Sequence, residues 1–289
     1  MKNIILFNTL GVIQSYKLRY AIYLTLVPLF STAVLLVQLL IFSMLNLYYL
    51  EGNGLIIDVQ VREAYYDQVI QEILPVTFNV FCVIIANFFV SLIVMNWAVS
   101  PFTHAEKVIR AFDGKNPPGK TQHSWVSENV LLDRAVLAFL RETATGEPQK
   151  EFQRKTPGFK LNLSFLARFG LVYASLSMLT GYVLGLLLNR AFTKVVSLAI
   201  NIFQGHFIRG HYFTAQEEVL NLGVTTSIVA SVIVYVLIGY HVAKYMSTMV
   251  MVFHRAFKEK RYPIYLRKSD IYHSLAEAVN EKAKPNTKA

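Results

Sequence analysis

Four long segments of this chain lack Asp, Glu, Lys and Arg, and they constrain its fold more than any other feature of the sequence. They are Tyr20–Leu50, Ile73–Thr103, Phe169–Asn189 and Val219–Ala243. A helix of about 20 apolar residues crosses the hydrocarbon core of a bilayer, and each segment reaches that length. The sequence therefore predicts an all-α integral membrane protein with four transmembrane helices. The first segment exceeds the roughly 7 to 15 apolar residues of a cleaved signal peptide, so we expect the mature chain to keep it.

The distribution of basic residues between these segments predicts the topology. Residues 1–19, 104–168 and 244–289 contain 24 of the 28 Lys and Arg residues, whereas 51–72 and 190–218 contain four. Lys and Arg are retained on the cytoplasmic side. Both termini and the long central loop are therefore predicted to face the cytoplasm, in a bacterial inner membrane. The net charge of +10 then reflects topology and contact with anionic membrane lipid, and we expect no nucleic-acid partner.

The two outer segments are too short to form a sensory domain. They contain 22 and 29 residues, below the roughly 40 that a domain needs to fold without disulfides or metal. Disulfides are excluded because the only cysteine, Cys82, lies inside the second apolar segment, where it is predicted to be a packing residue. Residues 59–73 are predicted to be helical, either lying on the outer leaflet or continuing the second membrane helix outward. We expect no direct sensing of a soluble ligand by this chain alone.

A nine-residue pattern occurs twice in the cytoplasmic segments. The two copies, 145 positions apart, read RAFDGKNPP at 110–118 and RAFKEKRYP at 255–263. Each half of the chain also begins with an aromatic and basic entry, YKLRYAIY near position 20 and FLARFGLVY near 170. We infer two tandem parallel repeats, each comprising two membrane helices and a cytoplasmic module, related by an axis along the membrane normal. Such a chain imitates a homodimer of a two-helix protein.

The first cytoplasmic module has a recognisable order of elements. Trp97 marks the membrane interface, and Pro101 opens an amphipathic helix with the sequence PFTHAEKVIRAF. The segment DGKNPPG then breaks this helix, and SENVLLDRAVLAFLRE (127–142) forms a second amphipathic helix. This order resembles a HAMP domain, the module of membrane signal transducers such as chemoreceptors and histidine kinases.

The second module fits the same resemblance. The apolar stripe Ala105, Val108 and Phe112 reappears, shifted by 145 positions, as Val250, Phe253 and Phe257. The linker KRYPIYL follows, with apolar Ile264 and Leu266, and SDIYHSLAEAVNEK (269–282) resembles the opening of a second HAMP helix with a late Asn. Two features depart from the family: no proline opens this module, and Tyr272 stands where the family usually has Gly.

The resemblance implies a pseudo-dimeric four-helix bundle made within one chain, with Val108 and Phe112 facing Phe253 and Phe257. The predicted bundle core is Pro101, Ala105, Val108, Phe112, Leu132, Val136, Phe139, Val250, Phe253, Phe257, Ile271 and Leu275. The predicted linker residues are Gly114, Pro118 and Pro263. Two unrelated amphipathic hairpins, resting on the membrane or on each other, remain the alternative. Ser177, Gly181 and Gly185 recur every four residues and predict a close helix-packing face in the third membrane helix.

These inferences divide the chain into seven regions. They are a cytoplasmic N-terminus (1–19), membrane helices 1 and 2 (20–103), a first HAMP-like module (104–142), a basic linker (143–168), membrane helices 3 and 4 (169–243), a second HAMP-like module (244–282) and a disordered tail (283–289). We expect neither the linker nor the tail to hold the kinase, cyclase or methylated coiled coil that follows HAMP domains in transducers.

No residue pattern in the sequence indicates catalysis, a cofactor or a metal site. His206 and His211 are five positions apart with no carboxylate between them, which is poor spacing for a metal site. His241 near the cytoplasmic interface is interpreted as an ordinary hydrogen-bonding residue. The nucleophile, phosphate-binding and zinc-protease motifs are missing from the sequence. We therefore predict a protein that is not an enzyme.

The resulting functional hypothesis is an inner-membrane adaptor or signal-relay subunit that binds another membrane or cytoplasmic protein. The basic surface, including 268–270 and 143–160, is where such a partner is expected. The alternative is a channel or transporter subunit whose parallel repeats enclose a pathway between Gln38, Asn79 and Asn87. Asparagines at positions 79, 87 and 96 are otherwise expected to hold helices together. The sequence leaves open whether two chains pair into a homo-oligomer.

Overall fold

The computed structural model describes residues 11–52, 59–115, 127–146, 159–202 and 210–283. Within them the chain is helical, with no β-strand. The helices are α1 (Val12–Gly52), α2 (Val59–Ala111), α3 (Ser127–Thr145), α4 (Phe159–Ile202), α5 (Gly210–Glu259) and α6 (His273–Ala283). Residues 1–10 of the predicted N-terminus, 147–158 of the basic linker and 284–289 of the tail lie outside the described residues.

Four of these helices are long and apolar enough to cross a membrane. The candidate spans are Val12–Tyr49, Arg62–Ala111, Ala167–Ser197 and Phe213–Glu259. Each coincides with one of the uncharged segments of the sequence, so the prediction of four apolar helices long enough to span a membrane is confirmed for the described part of the chain. Their exposed surfaces are rich in Leu, Ile, Val and Phe, as a lipid-facing surface requires.

The second membrane helix is far longer than a bilayer needs. Helix α2 has 53 residues, which corresponds to roughly 80 Å at 1.5 Å per residue, whereas the hydrocarbon core is about 30 Å thick. It begins at Val59, so residues 59–73 continue the membrane helix outward and do not form a separate helix. The 50 residues of α5 are similarly uninterrupted.

The chain divides into two compact units. Unit 1 comprises Met1–Ala21, Leu92–Val172 and Val236–Ala289, and unit 2 comprises Ile22–Ser91 and Tyr173–Tyr235. Unit 2 holds most of the apolar segments of α1, α2, α4 and α5. Unit 1 holds α3 and α6 together with the adjoining ends of the four long helices.

Unit 2 packs its four helices around an apolar core. One cluster contains Leu35, Leu39, Phe42, Val76, Val80, Ile84, Leu184, Leu188, Ala191, Phe192 and Leu220. A second, smaller cluster contains Leu47, Tyr65, Val69, Ile73 and Val195. In a bilayer, burial of apolar side chains gives little driving force because lipid is equally apolar, so close packing and interhelical hydrogen bonds carry more of the stability.

The proline of α1 creates a hydrogen-bonding demand in the middle of unit 2. Pro28 is buried and has no backbone N–H, so the carbonyl of Leu24 loses its intrahelical donor. The phenol of Tyr235 on α5 donates to that carbonyl at 2.5 Å. The hydroxyl of Thr32 donates to the carbonyl of Pro28 itself. A neighbouring helix therefore satisfies the carbonyl that the proline frees.

This contact fixes the direction of a longer hydrogen-bond chain. Because the Leu24 carbonyl can only accept, Tyr235 uses its one proton there and accepts from the Asn87 amide nitrogen at 3.1 Å. The amide oxygen of Asn87 then accepts from the Thr180 hydroxyl at 3.0 Å. One chain of hydrogen bonds thereby joins α1, α2, α4 and α5.

Helix α4 offers a face of small residues to α5. A Cβ atom added at Gly181 would lie 2.8 Å from Cγ1 of Ile228, and one at Gly185 would lie 2.9 Å from Cγ1 of Val224. Both distances are shorter than real Cβ contacts, so the two helices approach as closely as they do only because these positions are glycine.

We expect Pro28 and Tyr235 to be energetically coupled. Tyr235→Phe leaves the Leu24 carbonyl and the Asn87 amide without a partner and should lower the free energy of unfolding by about 1–2 kcal/mol. In a Pro28→Ala background residue 28 regains its backbone N–H, so the same Tyr235→Phe change should cost distinctly less. A double-mutant cycle in detergent measures the coupling. Tyr182→Phe, at an exposed tyrosine of α4, is the control, and equal costs in the two backgrounds would contradict the assignment.

We also expect opposite responses from two glycines of α4. Gly181→Ala should lower the melting temperature, because overpacking of this kind typically costs about 1–3 kcal/mol. Gly170→Ala, where an added Cβ meets no atom within 4 Å, should leave it unchanged or raise it through the higher helix propensity of Ala. Thermal unfolding of the purified variants checks both, and a stabilising Gly181→Ala would refute the close-approach assignment.

Candidate functional site

The described residues of unit 1 form a bundle in which α2, α3, α5 and α6 each bury one face. Buried side chains on these helices include Phe102, Ala105, Ile109 and Phe112 on α2 or directly after it, Leu132, Ala135, Val136 and Phe139 on α3, Met246, Val250, Phe253 and Phe257 on α5, and Leu275, Ala276, Ala278 and Val279 on α6. Spacings of three and four residues place each set on one side of its helix.

Helix α6 is joined to α2 by polar contacts at both of its ends. The Ser274 hydroxyl donates to Glu106 at 2.9 Å. At the other end, the Lys282 ammonium donates to the backbone carbonyl of Phe112 at 2.6 Å. A cation is well placed there because the carbonyls at a helix C-terminus lack intrahelical donors and carry partial negative charge.

Helix α3 is joined to α5 by an aromatic stack and an ion pair. The rings of Phe139 and Phe257 lie 4.9 Å apart with an interplanar angle of 16°. Next to them, the Glu142 carboxylate pairs with the Lys260 ammonium at 2.7 Å. Burial raises the pKa of the neighbouring Tyr262 phenol above its usual range, and the negative charge of Glu142 acts in the same direction.

These contacts pair each long helix with a short helix from the other half of the chain. Helix α2, from the first half, holds α6 from the second. Helix α5, from the second half, holds α3 from the first. Neither half therefore supplies its own bundle partner through these contacts.

Side chains of α6 hold the segment between α5 and α6, and one of them is His273, whose ring Nδ1 lies 3.1 Å from the Leu266 carbonyl. Asn280 on α6 accepts a hydrogen bond from the backbone N–H of Ile264 at 2.7 Å and donates one to the backbone carbonyl of Ile264 at 2.9 Å. The Ile264 side chain is buried, whereas Leu266 is half-buried. Asp270 accepts from the backbone N–H of Tyr272 at 2.9 Å just before α6 begins.

Tyr272, the departure from the HAMP pattern, lies in the core of unit 1. Its ring is fully buried and lies 4.3 Å from Phe102 and 5.4 Å from Tyr245. Burial raises the pKa of Tyr272 well above its usual range, and the nearby Tyr16, Tyr245 and Asp270 act in the same direction. A large aromatic ring therefore occupies this position as part of the packing.

Three of the predicted core positions differ from their expected placement. Val108 is only half-buried, and Ile109, with no exposed surface, takes its place in the stripe. The buried positions of α2 are spaced three, four and three residues apart, which puts Val108 beside the stripe. Pro101 is half-buried inside α2, and Ile271 is buried but precedes α6, which begins at His273 and not at 269. The ring stacked on Phe257 is that of Phe139.

The structure describes two of the three predicted linker residues, Gly114 and Pro263. Helix α2 ends at Ala111, and Gly114 has a φ of 88°, a left-handed value that glycine adopts without strain. Pro118 lies outside the described residues. Pro263 follows a cis peptide bond to Tyr262.

A cavity of about 500 Å³ lies where α2, α3 and α5 end in unit 1. Its walls include the rings of Phe112, Phe139 and Phe257 and the charged side chains of Glu142 and Lys260. Those two charges pair with each other. The ion pair and the aromatic rings together join the ends of α3 and α5.

The polar residues singled out in the sequence do not converge. Asn87 is buried in the hydrogen-bond chain of unit 2, whereas Asn79 is exposed on the surface of α2. Asn96 is also exposed and accepts from Lys17 at 2.6 Å. The pathway of the transport hypothesis needs Asn79 and Asn87 on one seam, and the structure does not bring them together.

Histidines likewise form no site among the described residues. His241 is exposed, with its ring stacked 6.4 Å from that of Tyr20. His206, and the side chain of His211, lie outside what the structure describes. Over the described ranges, no group of three His, Cys, Asp or Glu side chains has the geometry of a metal site.

Four of the described helices are long and apolar enough to span a membrane, and together with the helical fold they indicate a multi-pass helical membrane protein. No family model, curated protein or solved structure matches the chain.

Several contacts of the unit 1 bundle could not be read from the sequence. Glu106 and Arg110 are visible as an i,i+4 pair, but the bond from Ser274 to Glu106 joins residues 168 positions apart. The paired residues Glu142 and Lys260 are likewise far apart in the sequence, on α3 and directly after α5. For the contact with Ile264, the sequence offered one indication, which is Asn280 near the end of the second module.

We expect Asn280 to control the ordering of the segment after α5. Asn280→Ala removes both hydrogen bonds to Ile264 and should lower the free energy of unfolding by about 1–3 kcal/mol. Asn280→Asp keeps the acceptor for the Ile264 N–H and should retain slow hydrogen exchange at that amide, whereas Asn280→Ala should accelerate it. Hydrogen exchange with mass spectrometry measures this. Glu281→Ala, at an exposed position of the same helix whose ion-pair partner is Arg110 of α2, is the control, and unchanged exchange in Asn280→Ala would contradict the contact.

Proposed function

We propose that this protein is a non-enzymatic adaptor or signal-relay subunit of the bacterial inner membrane, with two HAMP-like modules paired inside one chain. The observation that carries the proposal is the exchange of partners in unit 1, where α2 holds α6 and α5 holds α3. A homodimer of two-helix proteins forms such a bundle from two chains. Here one chain supplies both copies, in the order long helix, long helix, short helix, twice.

The long helices supply the means of relay. Helices α2 and α5 run without interruption from apolar segments into the bundle, so a rotation or shift of either one moves its bundle face directly. The short helices are held by side-chain contacts, and such contacts can be exchanged for others of similar energy. A bundle with two packings close in energy acts as a switch.

A groove on unit 1 suits a protein partner with an acidic, partly apolar segment. It measures about 470 Å³ and lies between α5 and the segment that follows it. Apolar side chains, including Met251, Val252 and Ile264, line it beside Arg255 and Arg261. Arg255 is exposed, and an unsatisfied guanidinium favours carboxylate partners through paired hydrogen bonds.

The test is purification from native membranes in mild detergent, followed by the mass of the particle and the identity of the proteins that travel with it. A stoichiometric protein partner that survives size exclusion is expected. Arg255→Glu reverses the charge of the groove and should reduce recovery of that partner at least about tenfold, since about 1.4 kcal/mol corresponds to one decade in affinity.

Arg134→Glu is the matched control, because Arg134 is exposed on α3 and does not line the groove. It should leave recovery unchanged. A lone chain or a homo-oligomer with nothing bound would refute the adaptor function. A partner retained equally by both variants would keep the function and reject the groove.

A further inference from the structure

Unit 2 contains a small cavity that is lined by hydroxyl groups in an otherwise apolar environment. It lies between α1, α4 and α5, next to Pro28, and the volume open to the centre of a water molecule is about 20 Å³. Its polar lining includes the side chains of Thr32, Ser177, Thr180 and Ser231. All four are buried, at 7 % exposure or less.

One of these hydroxyls has an unmet hydrogen-bonding requirement. Ser177 is 2 % exposed, and its Oγ has no hydrogen-bond partner among the described residues. Thr32 and Thr180 differ, because their protons go to the Pro28 carbonyl and to Asn87. A buried hydroxyl without a partner destabilises the folded protein, and hydrocarbon offers it no partner.

The shape and chemistry of the cavity point to a single occupant. A volume of about 10–15 Å³ on this measure is enough for one water molecule, which needs two to four polar partners. Thr32 and Thr180 donate their protons elsewhere but keep oxygen lone pairs that can accept. Ser177 can donate its proton to a water, and that water can donate its two protons to neighbouring hydroxyl oxygens. The cavity volume leaves no room for a drug-sized ligand.

We propose that this cavity is a binding site for one ordered water molecule, which accepts from Ser177 and bridges α4 to α1 and α5. The water completes the polar cluster around the proline of α1. The described residues that line the cavity include no charged side chain, so binding of the water depends on hydrogen bonds and not on ion pairing. The assignment is independent of the adaptor function.

The test is X-ray hydroxyl-radical labelling of the protein in nanodiscs, read out by mass spectrometry. Radicals generated from a bound water react with side chains beside it, so we expect rapid labelling of Tyr235, which lines the cavity. Leu188, which is fully buried in the apolar core, should remain unlabelled. Labelling of both residues at the same rate, or of neither, would overturn the proposal.

Substitution of Ser177 provides the second measurement. Ser177→Val fills the cavity and should reduce Tyr235 labelling at least about fivefold. Ser177→Ala removes only one oxygen, so it is the fallback if the valine variant fails to fold. With water bound, Ser177→Ala loses a hydrogen bond and should lower the melting temperature relative to Ser175→Ala, a control at an exposed position of the same helix. A dry cavity predicts the opposite, because the change would then remove an unpaired hydroxyl, and a raised melting temperature would reject the water.

Discussion

The hydrogen bond from Tyr235 to the carbonyl of Leu24 is the interaction on which the membrane part of the fold depends. Hydrocarbon offers no donor to a backbone carbonyl, so the proline of α1 is tolerated because a neighbouring group, here the Tyr235 phenol, donates to the carbonyl that the proline frees. Because Tyr235 donates there, it can only accept from Asn87, so the Asn87 amide nitrogen points to Tyr235. The Asn87 amide oxygen then accepts from the Thr180 hydroxyl. The hydrogen-bond chain that begins at this carbonyl thereby links one face of each of the four helices.

Close packing and interhelical hydrogen bonds both stabilise unit 2. The glycines at 181 and 185 let α4 and α5 approach, and that approach brings the hydroxyl groups of both helices towards α1. Because burial of Leu or Val against lipid-like neighbours gives little net stabilisation, these specific contacts carry more weight than the size of the apolar core.

The sequence predicted the features that have a local signature and missed those that depend on distant contacts. Runs without charge located the four apolar helices, because the length of a membrane span is fixed by the bilayer. Pro28 indicates that the carbonyl of Leu24 lacks its intrahelical donor. Nothing in the sequence near Pro28 identifies Tyr235, 207 positions away, as the group that donates to it. Along α2 the helical period was correct, yet the choice between Val108 and Ile109 required knowledge of which helix packs against it. The break after Ala111 was predictable from Gly114, whereas the late start of α6 depended on the turn that Asp270 caps. The hydrogen bonds between Asn280 and Ile264 also depend on a distant contact. The sequence marked Asn280 as unusual but did not indicate that Ile264 is its partner.

The exchanged pairing in unit 1 also sets an order for biogenesis. Helix α3 is synthesised well before α5, the helix that provides its aromatic stack and its ion pair. During translation the apolar face of α3, which carries Leu132, Val136 and Phe139, therefore lacks these contacts until α5 has been synthesised. Such a helix can rest on the membrane surface in the meantime, with its apolar side in the headgroup layer. Closure of the bundle therefore requires α5, the last of the four long helices to be synthesised.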